Sequence, residues 1–272
     1  PVEAFADDEP DIAPVSRYDA SWIAYDAALG PALVEAPSLT LQYYGFDTTR
    51  APFDDVRVRQ AFAKAVDWAR IVTLASDGAV NPATGMVPAG MPGAPTGMGI
   101  PTPDPSAARR LLAEAGYPGG AGFPTIALVS GGSANDAAVA AELRSVLGVT
   151  VRAEAMESGA FFARLDQDPP AMWALGWIAD YPSPNDFLGV LLGSGASTNY
   201  GGWSSSEFDA AIERAISARD PAAAAAAYRE AESIVRRDAP AIPLGSGDGW
   251  SLVRPGLLGA GENGLGILRM AG

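Results

Sequence analysis

The chain contains no cysteine and no histidine, and Lys64 is its only lysine. Together these absences remove thiol nucleophiles, the usual zinc ligands and the commonest general base. Serine is plentiful, but a serine activated by histidine cannot be assembled from these residues. Metal binding by carboxylates alone stays open but without support, since no acidic loop has calcium-ligand spacing, and no metal site or cofactor is assigned. Also missing is an apolar run long enough to cross a bilayer, which argues against a membrane-spanning role. Lack of cysteine is compatible with either redox compartment. The opening residues, PVEAFADDEPDIAPV, have neither the basic start nor the apolar middle of a signal peptide. The expectation is therefore a cytoplasmic protein or a fragment whose true beginning lies upstream.

Basic residues are scarce as well: 18 Lys and Arg stand against 32 Asp and Glu, for a formal charge of -14. Such a surface repels a phosphate backbone, so nucleic acid is not an expected partner. The charge reads as a solubility surface rather than as a demand for a cationic ligand. What is present is a globular composition, 48% hydrophobic and 18% charged over 272 residues, enough for one large domain or two small ones.

Periodicity supplies the elements. DDVRVRQAFAKAVDW, from residue 54, reads as a helix capped by Asp55, with Val58, Ala61, Phe62 and Ala65 on one stripe and Arg57, Arg59 and Lys64 off it. Residues 81–103 are too rich in Pro and Gly for a helix or a central strand and read as an unusually long loop. DPSAARRLLAEAGYP has Asp104 as cap, Pro105 in the first turn and Gly116 as stop. Strand-like TIALVS, helical NDAAVAAELRSVLG and strand-like VTVRAEA come after it, and SGAFFARLDQ then AMWALGW extend the pattern to βαβαβ, hence parallel pairing. Two helices come next, one opened by a Ser204–Glu207 capping box and one by Asp220 and Pro221. The end, from Pro240, has a strand-like AIPL and a glycine-rich tail that looks unfinished as a module.

Candidate chemistry is sparse. The acid pairs Asp54/Asp55 and Asp180/Asp186 could serve glycoside hydrolysis, but Asp55 is explained as a helix cap and Asp186 as a cap near Phe187. SGGSAND (130–136) matches no phosphate-binding pattern and reads as an ordinary βα loop. GWIADYPSPNDFL (176–188) remains, placed just past the third parallel strand, where open sheets bind ligands. Trp177 and Tyr181 bracket Asp180. Structurally they are core aromatics around a turn cap. Functionally they are apolar walls around a partly buried carboxylate that meets a cationic group.

At this point the chain resembles the family 5 solute-binding proteins of ABC transporters, which carry oligopeptides, dipeptides and related solutes. The resemblance rests on YYGFDTTRAPFDDVRVRQAFAKAVDW (43–68), PATGMVPAGMPG (82–93), DPSAARRLLAEAGYP, GWIADYPSPNDFL and YREAESIVRRDAPAIPL (228–244), in the family's order. It implies an α/β, periplasmic-binding-protein-like (type II) C-terminal lobe with a mixed or parallel β-sheet flanked by helices. Residues 41–244 would form that lobe, and residues 1–40 and 245–272 would lead to a second, largely absent one. It also implies a monomeric, non-enzymatic receptor for a peptide or similar small solute, extracytoplasmic and lipid-anchored in its full length, that docks on a membrane permease. A ligand-sensing regulatory lobe and a saccharide binder are the alternatives.

By the family's motif, Asp180 receives a peptide amino terminus and Trp177 lines the pocket beside Tyr181. Asp47 stands where the family has Asn, so a contact needing an amide donor is lost. Ala174 stands where some relatives carry an Arg for the peptide carboxylate. With one wall of the cleft absent, the isolated chain is expected to bind weakly or not at all.

Overall fold

The computed structural model describes residues 1–75, 80–95, 102–133, 135–257, 261–262 and 268–269. In chain order the strands are β1 (Ile12–Val15), β2 (Leu33–Pro37), β3 (Thr40–Phe46), β4 (Val80–Pro82), β5 (Ile126–Ser130), β6 (Val151–Ala155), β7 (Met172–Ile178) and β8 (Ala241–Val253). The helices are α1 (Val2–Ala6), α2 (Arg17–Ile23), α3 (Val56–Ala65), α4 (Trp68–Ala75), α5 (Pro105–Glu114), α6 (Asn135–Leu147), α7 (Ser158–Gln167), α8 (Gly189–Leu192), α9 (Ser206–Ser217) and α10 (Pro221–Asp238).

Helix starts occur where a side chain can accept an orphan backbone N–H. Asp55 caps α3, Asp104 caps α5 ahead of Pro105, and Asp220 caps α10 ahead of Pro221. Helix α9 departs from the expected capping box by one residue. Ser205 is the N-cap, accepting from Phe208 N at 3.3 Å, while Ser204 takes a bond from Ser194 Oγ and Glu207 pairs with Arg237. Arg59 is a second correction, being 5% exposed instead of lying on the polar face of α3. Its guanidinium donates to the carbonyls of Asp238 (2.9 Å) and Phe53 (2.6 Å), satisfying the end of α10 and the turn before α3.

The βαβαβ run forms as expected, with β6 and β7 lying parallel on either side of β5. Beyond β7 the pairing is antiparallel, in the order β1-β8-β3-β7-β5-β6, which makes a mixed sheet. Alternation along β3 feeds two cores. Tyr44 and Phe46 join Phe62, Trp68, Leu112 and Leu143 on the α3–α6 face, and Leu41 and Tyr43 join Phe187, Phe208 and Ile234 on the α9–α10 face.

Strand β8 continues past residue 244. Its first part pairs with β3 and its second with β1 and β2, where Phe5, Ala13, Ile23, Ala32 and Leu252 form a separate small core. The Pro/Gly/Met segment after β4 is pinned through residue 95. Glu232 of α10 accepts from Val87 N (2.9 Å) and Met86 N (3.2 Å), and Met86 and Met91 are buried. The rest of the expected loop from 96 to 101, and most of the glycine-rich tail beyond 257, lie outside the described residues.

Candidate functional site

Strand β7 pairs with β3 along its whole length, from Met172 opposite Phe46 to Ile178 opposite Thr40. On its other edge, pairing with β5 ends at Trp173. From residue 174 onward that edge presents backbone N–H and C=O groups that no strand among the described residues takes up. Beside it opens a groove of about 310 Å³ whose walls include Gln42, Tyr43, Ala174, Gly176 and the loop 131–133. None of the residues lining it is charged.

The loop at the end of β5 is braced from beneath. Ser130 Oγ accepts from Gly132 N (2.8 Å) and Ser133 N (3.2 Å) and donates to Asp136 Oδ2 at 2.6 Å. The other oxygen of Asp136 accepts from the Tyr44 hydroxyl at 2.8 Å, and Asp136 is itself buried. Burial and the facing Asp136 carboxylate push the Tyr44 hydroxyl well above the ordinary tyrosine pKa, so it serves as a fixed donor. Residues 130–133 of the SGGSAND segment, read from sequence as an ordinary connection, therefore form one wall of the groove.

Past Ile178 the chain turns. Ala179 N closes the ladder on Leu39 O at 2.9 Å, and Ser183 caps a short 3-10 turn at Pro184–Asp186. Phe187 and Leu188, both fully buried, anchor the chain beyond the turn in the α9–α10 core. Asp186 is 0% exposed. Its Oδ2 accepts from the Trp177 indole Nε1 at 2.9 Å and from the Asp180 backbone N at 3.0 Å. Instead of capping a turn or helix that begins near Phe187, Asp186 reaches back and ties the turn to the end of β7.

This turn brings Trp177, Asp180 and Tyr181 together. Trp177 is half-buried against the α9–α10 core. The Asp180 side chain is exposed, where the sequence suggested a partly buried carboxylate, because Trp177 directs its polar edge inward to Asp186 instead of screening Asp180. Among the described residues Asp180 has no ion-pair partner. Tyr181, 39% exposed, accepts from Asn185 Nδ2 at 2.8 Å and lines a different groove, of about 450 Å³, with Ile216 and Tyr228.

Asp47 is not part of this constellation. It lies just past β3 at the end opposite the Asp180 turn, roughly 20 Å away at the rise of a strand. It is 2% exposed, with Oδ1 accepting from Thr49 N (3.0 Å) and Thr49 Oγ1 (2.6 Å) and Oδ2 from Arg50 Nε (2.5 Å). Arg50 also bonds Asp168 and the carbonyl of Pro169. Asp47 thus organises a turn and ties it, through Arg50, to the segment before β7. Among the described residues no cluster of three or more Asp or Glu is placed to hold a metal, and no helix is long and apolar enough to cross a membrane.

A mixed α/β lobe with an open groove beyond the carboxyl ends of its parallel strands is a scaffold for binding a small ligand. Residues 2–199 match the family described as bacterial extracellular solute-binding proteins, family 5 Middle, and the chain belongs to that family. It is 31% identical over 234 residues to heme-binding protein A of Haemophilus influenzae, covering 84% of this chain and 43% of that one. It is 30% identical over 224 residues to the glutathione-binding protein GsiB of Salmonella typhimurium, covering 78% and 43%. Among solved structures, a dipeptide-binding protein of Pseudoalteromonas sp. SM9913 in complex with Met-Leu superposes with a TM-score of 0.75 at 25% identity, covering 98% of this chain and 54% of that one. The chain spans about half the length of these relatives.

Proposed function

We propose that the chain is the C-terminal lobe of the substrate-binding component of an ABC importer, capturing a peptide or peptide-like solute between two lobes and delivering it to a membrane permease. In this reading it performs no chemistry and acts as a monomer outside the cytoplasm, lipid-anchored in its full length. Residues 1–40 and 245–272 connect to the second lobe, consistent with the separate core that the first segment builds on the far half of β8. The observation that carries the reading is the uncovered edge of β7 beside the groove, with the exposed Asp180 two residues past the end of that strand. An extended ligand backbone can take up those N–H and C=O groups as a further strand, which selects for peptides without reading their side chains. Its ammonium then meets Asp180, fixing direction. Glutathione and a dipeptide, named as ligands of two relatives, each carry a free ammonium and at least one peptide bond, which supports this reading.

The test is calorimetric titration of the full-length protein with trialanine and with N-acetyltrialanine, alongside mass spectrometry of small molecules released on denaturing the gently purified protein. Recovered peptides, with trialanine bound and its acetylated form rejected, are expected. Asp180→Asn should then weaken trialanine by about 10- to 100-fold, the value of a hydrogen bond to a charged group. Recovered saccharides, or equal binding of both peptides, would remove the role given to Asp180.

A further inference from the structure

Asp186 sits behind the turn that follows β7 and touches both Trp177 and Asp180 with one atom. Both the Trp177 indole and the Asp180 backbone N–H converge on Oδ2, while Oδ1 is buried and has no hydrogen-bond partner among the described residues. No arginine or lysine pairs with this carboxylate among the described residues either. Such a group is costly as a mere brace, since a bare buried acceptor gives up hydration without return. The neighbouring Phe187 and Leu188 already anchor this stretch by burial, so the chain does not need Asp186 to hold its turn to the core. What burial alone cannot fix is the rotation of the Trp177 ring and the direction in which the Asp180 residue leaves the strand. Two hydrogen bonds to one point fix both.

From this geometry we infer that Asp186 is the positioning residue of the ligand site, setting the aim of the Asp180 carboxylate through the Asp180 backbone and holding the Trp177 ring through its indole N–H. The inference deepens the peptide-binding reading and rests on it only for its consequence in affinity, because the positioning itself is visible without ligand.

Two substitutions separate positioning from filling. Asp186→Asn keeps an acceptor for both N–H groups, its amide nitrogen taking the place of the bare oxygen. Asp186→Leu keeps a similar volume and removes the acceptor. In ligand-free full-length protein, the Trp177 indole resonance, assigned by its loss in Trp177→Phe, and the Asp180 amide resonance are expected to move in Asp186→Leu and to stay near their places in Asp186→Asn.

Trialanine affinity should fall by about tenfold or more in the leucine variant and stay within about threefold in the asparagine variant. The preference for trialanine over N-acetyltrialanine should collapse only in the leucine variant. A structural brace would instead lower the melting temperature and leave that preference unchanged, and this result overturns the inference. If the leucine variant does not fold, loss of the preference in a folded asparagine variant whose two resonances have not moved refutes it, and its retention supports it. If the wild-type protein binds no peptide, the peptide reading fails separately. The two resonances then decide alone: unmoved in Asp186→Leu they refute the positioning, and moved together they support it.

Discussion

Gly176→Leu isolates the groove from every question of charge. A Cβ placed on Gly176 meets only the Leu41 carbonyl oxygen, at 3.9 Å, and the strand alternation that sends Trp177 toward the α9–α10 core turns residue 176 the other way. A leucine there grows into the open groove of about 310 Å³ instead of into packed protein. Removing a strand glycine returns about 0.5–1 kcal/mol of backbone entropy, which offsets the cost of exposing an apolar side chain, so folded stability should stay within about 1 kcal/mol of wild type. The ligand bears the whole penalty. Forcing it against the new side chain costs about 1–3 kcal/mol. Losing one backbone hydrogen bond to the β7 edge costs about 1 kcal/mol more. Together these weaken binding by roughly 30- to 700-fold. Thermal unfolding establishes that the variant is folded, and calorimetric titration of the full-length protein with trialanine reads the loss. Wild-type affinity in a folded Gly176→Leu protein would show that the ligand does not run beside β7, and the site would have to be sought elsewhere.

Gly45→Ala is the opposite case. A Cβ at Gly45 falls 2.4 Å from the Trp173 ring, in packed protein and away from the groove, so urea unfolding should show a loss of about 1–3 kcal/mol or more from overpacking. Glu232 supplies a pH signature: burial raises its carboxyl above the ordinary range, against the lowering effect of the Val87 and Met86 N–H groups and of Arg236. Because the folded value lies above the unfolded one, its contribution is fully present below the unfolded pKa and is lost as pH rises through the folded value. The difference in unfolding free energy between wild type and Glu232→Gln should therefore shift in favour of wild type as pH is lowered from 7 toward 4, and a difference independent of pH would refute the assignment.

Helices and strands were legible in the sequence wherever one residue decides locally. Asp55, Asp104 and Asp220 each announce a cap because a short acid before an apolar periodic run has one economical use. The sheet order was legible only for the βαβαβ run, where handedness and short connections leave few choices. What failed depended on contacts distant in the chain. Arg59 lies off the helical stripe, yet α10 ends against it, 179 residues later, and supplies a carbonyl to its guanidinium. Asp47 was included by likeness of a segment, and nothing local says that this segment finishes at the far end of β3 from the Asp180 turn.

The same limit applies to the acids around Trp177. The sequence shows Asp180 between two aromatics and invites the reading that they shield it, but which carboxylate is shielded depends on which way the indole N–H points. It points to Asp186, so in this lobe the shielded acid is Asp186 and the exposed one is Asp180, the acid that meets the ligand under the proposed reading. An ion pair formed at an exposed carboxylate contributes only about 0–1 kcal/mol, because water and salt screen it. Asp180 can therefore contribute strongly to binding only when another surface covers it and excludes water, which makes useful affinity a property of closure over this turn and not of the open lobe.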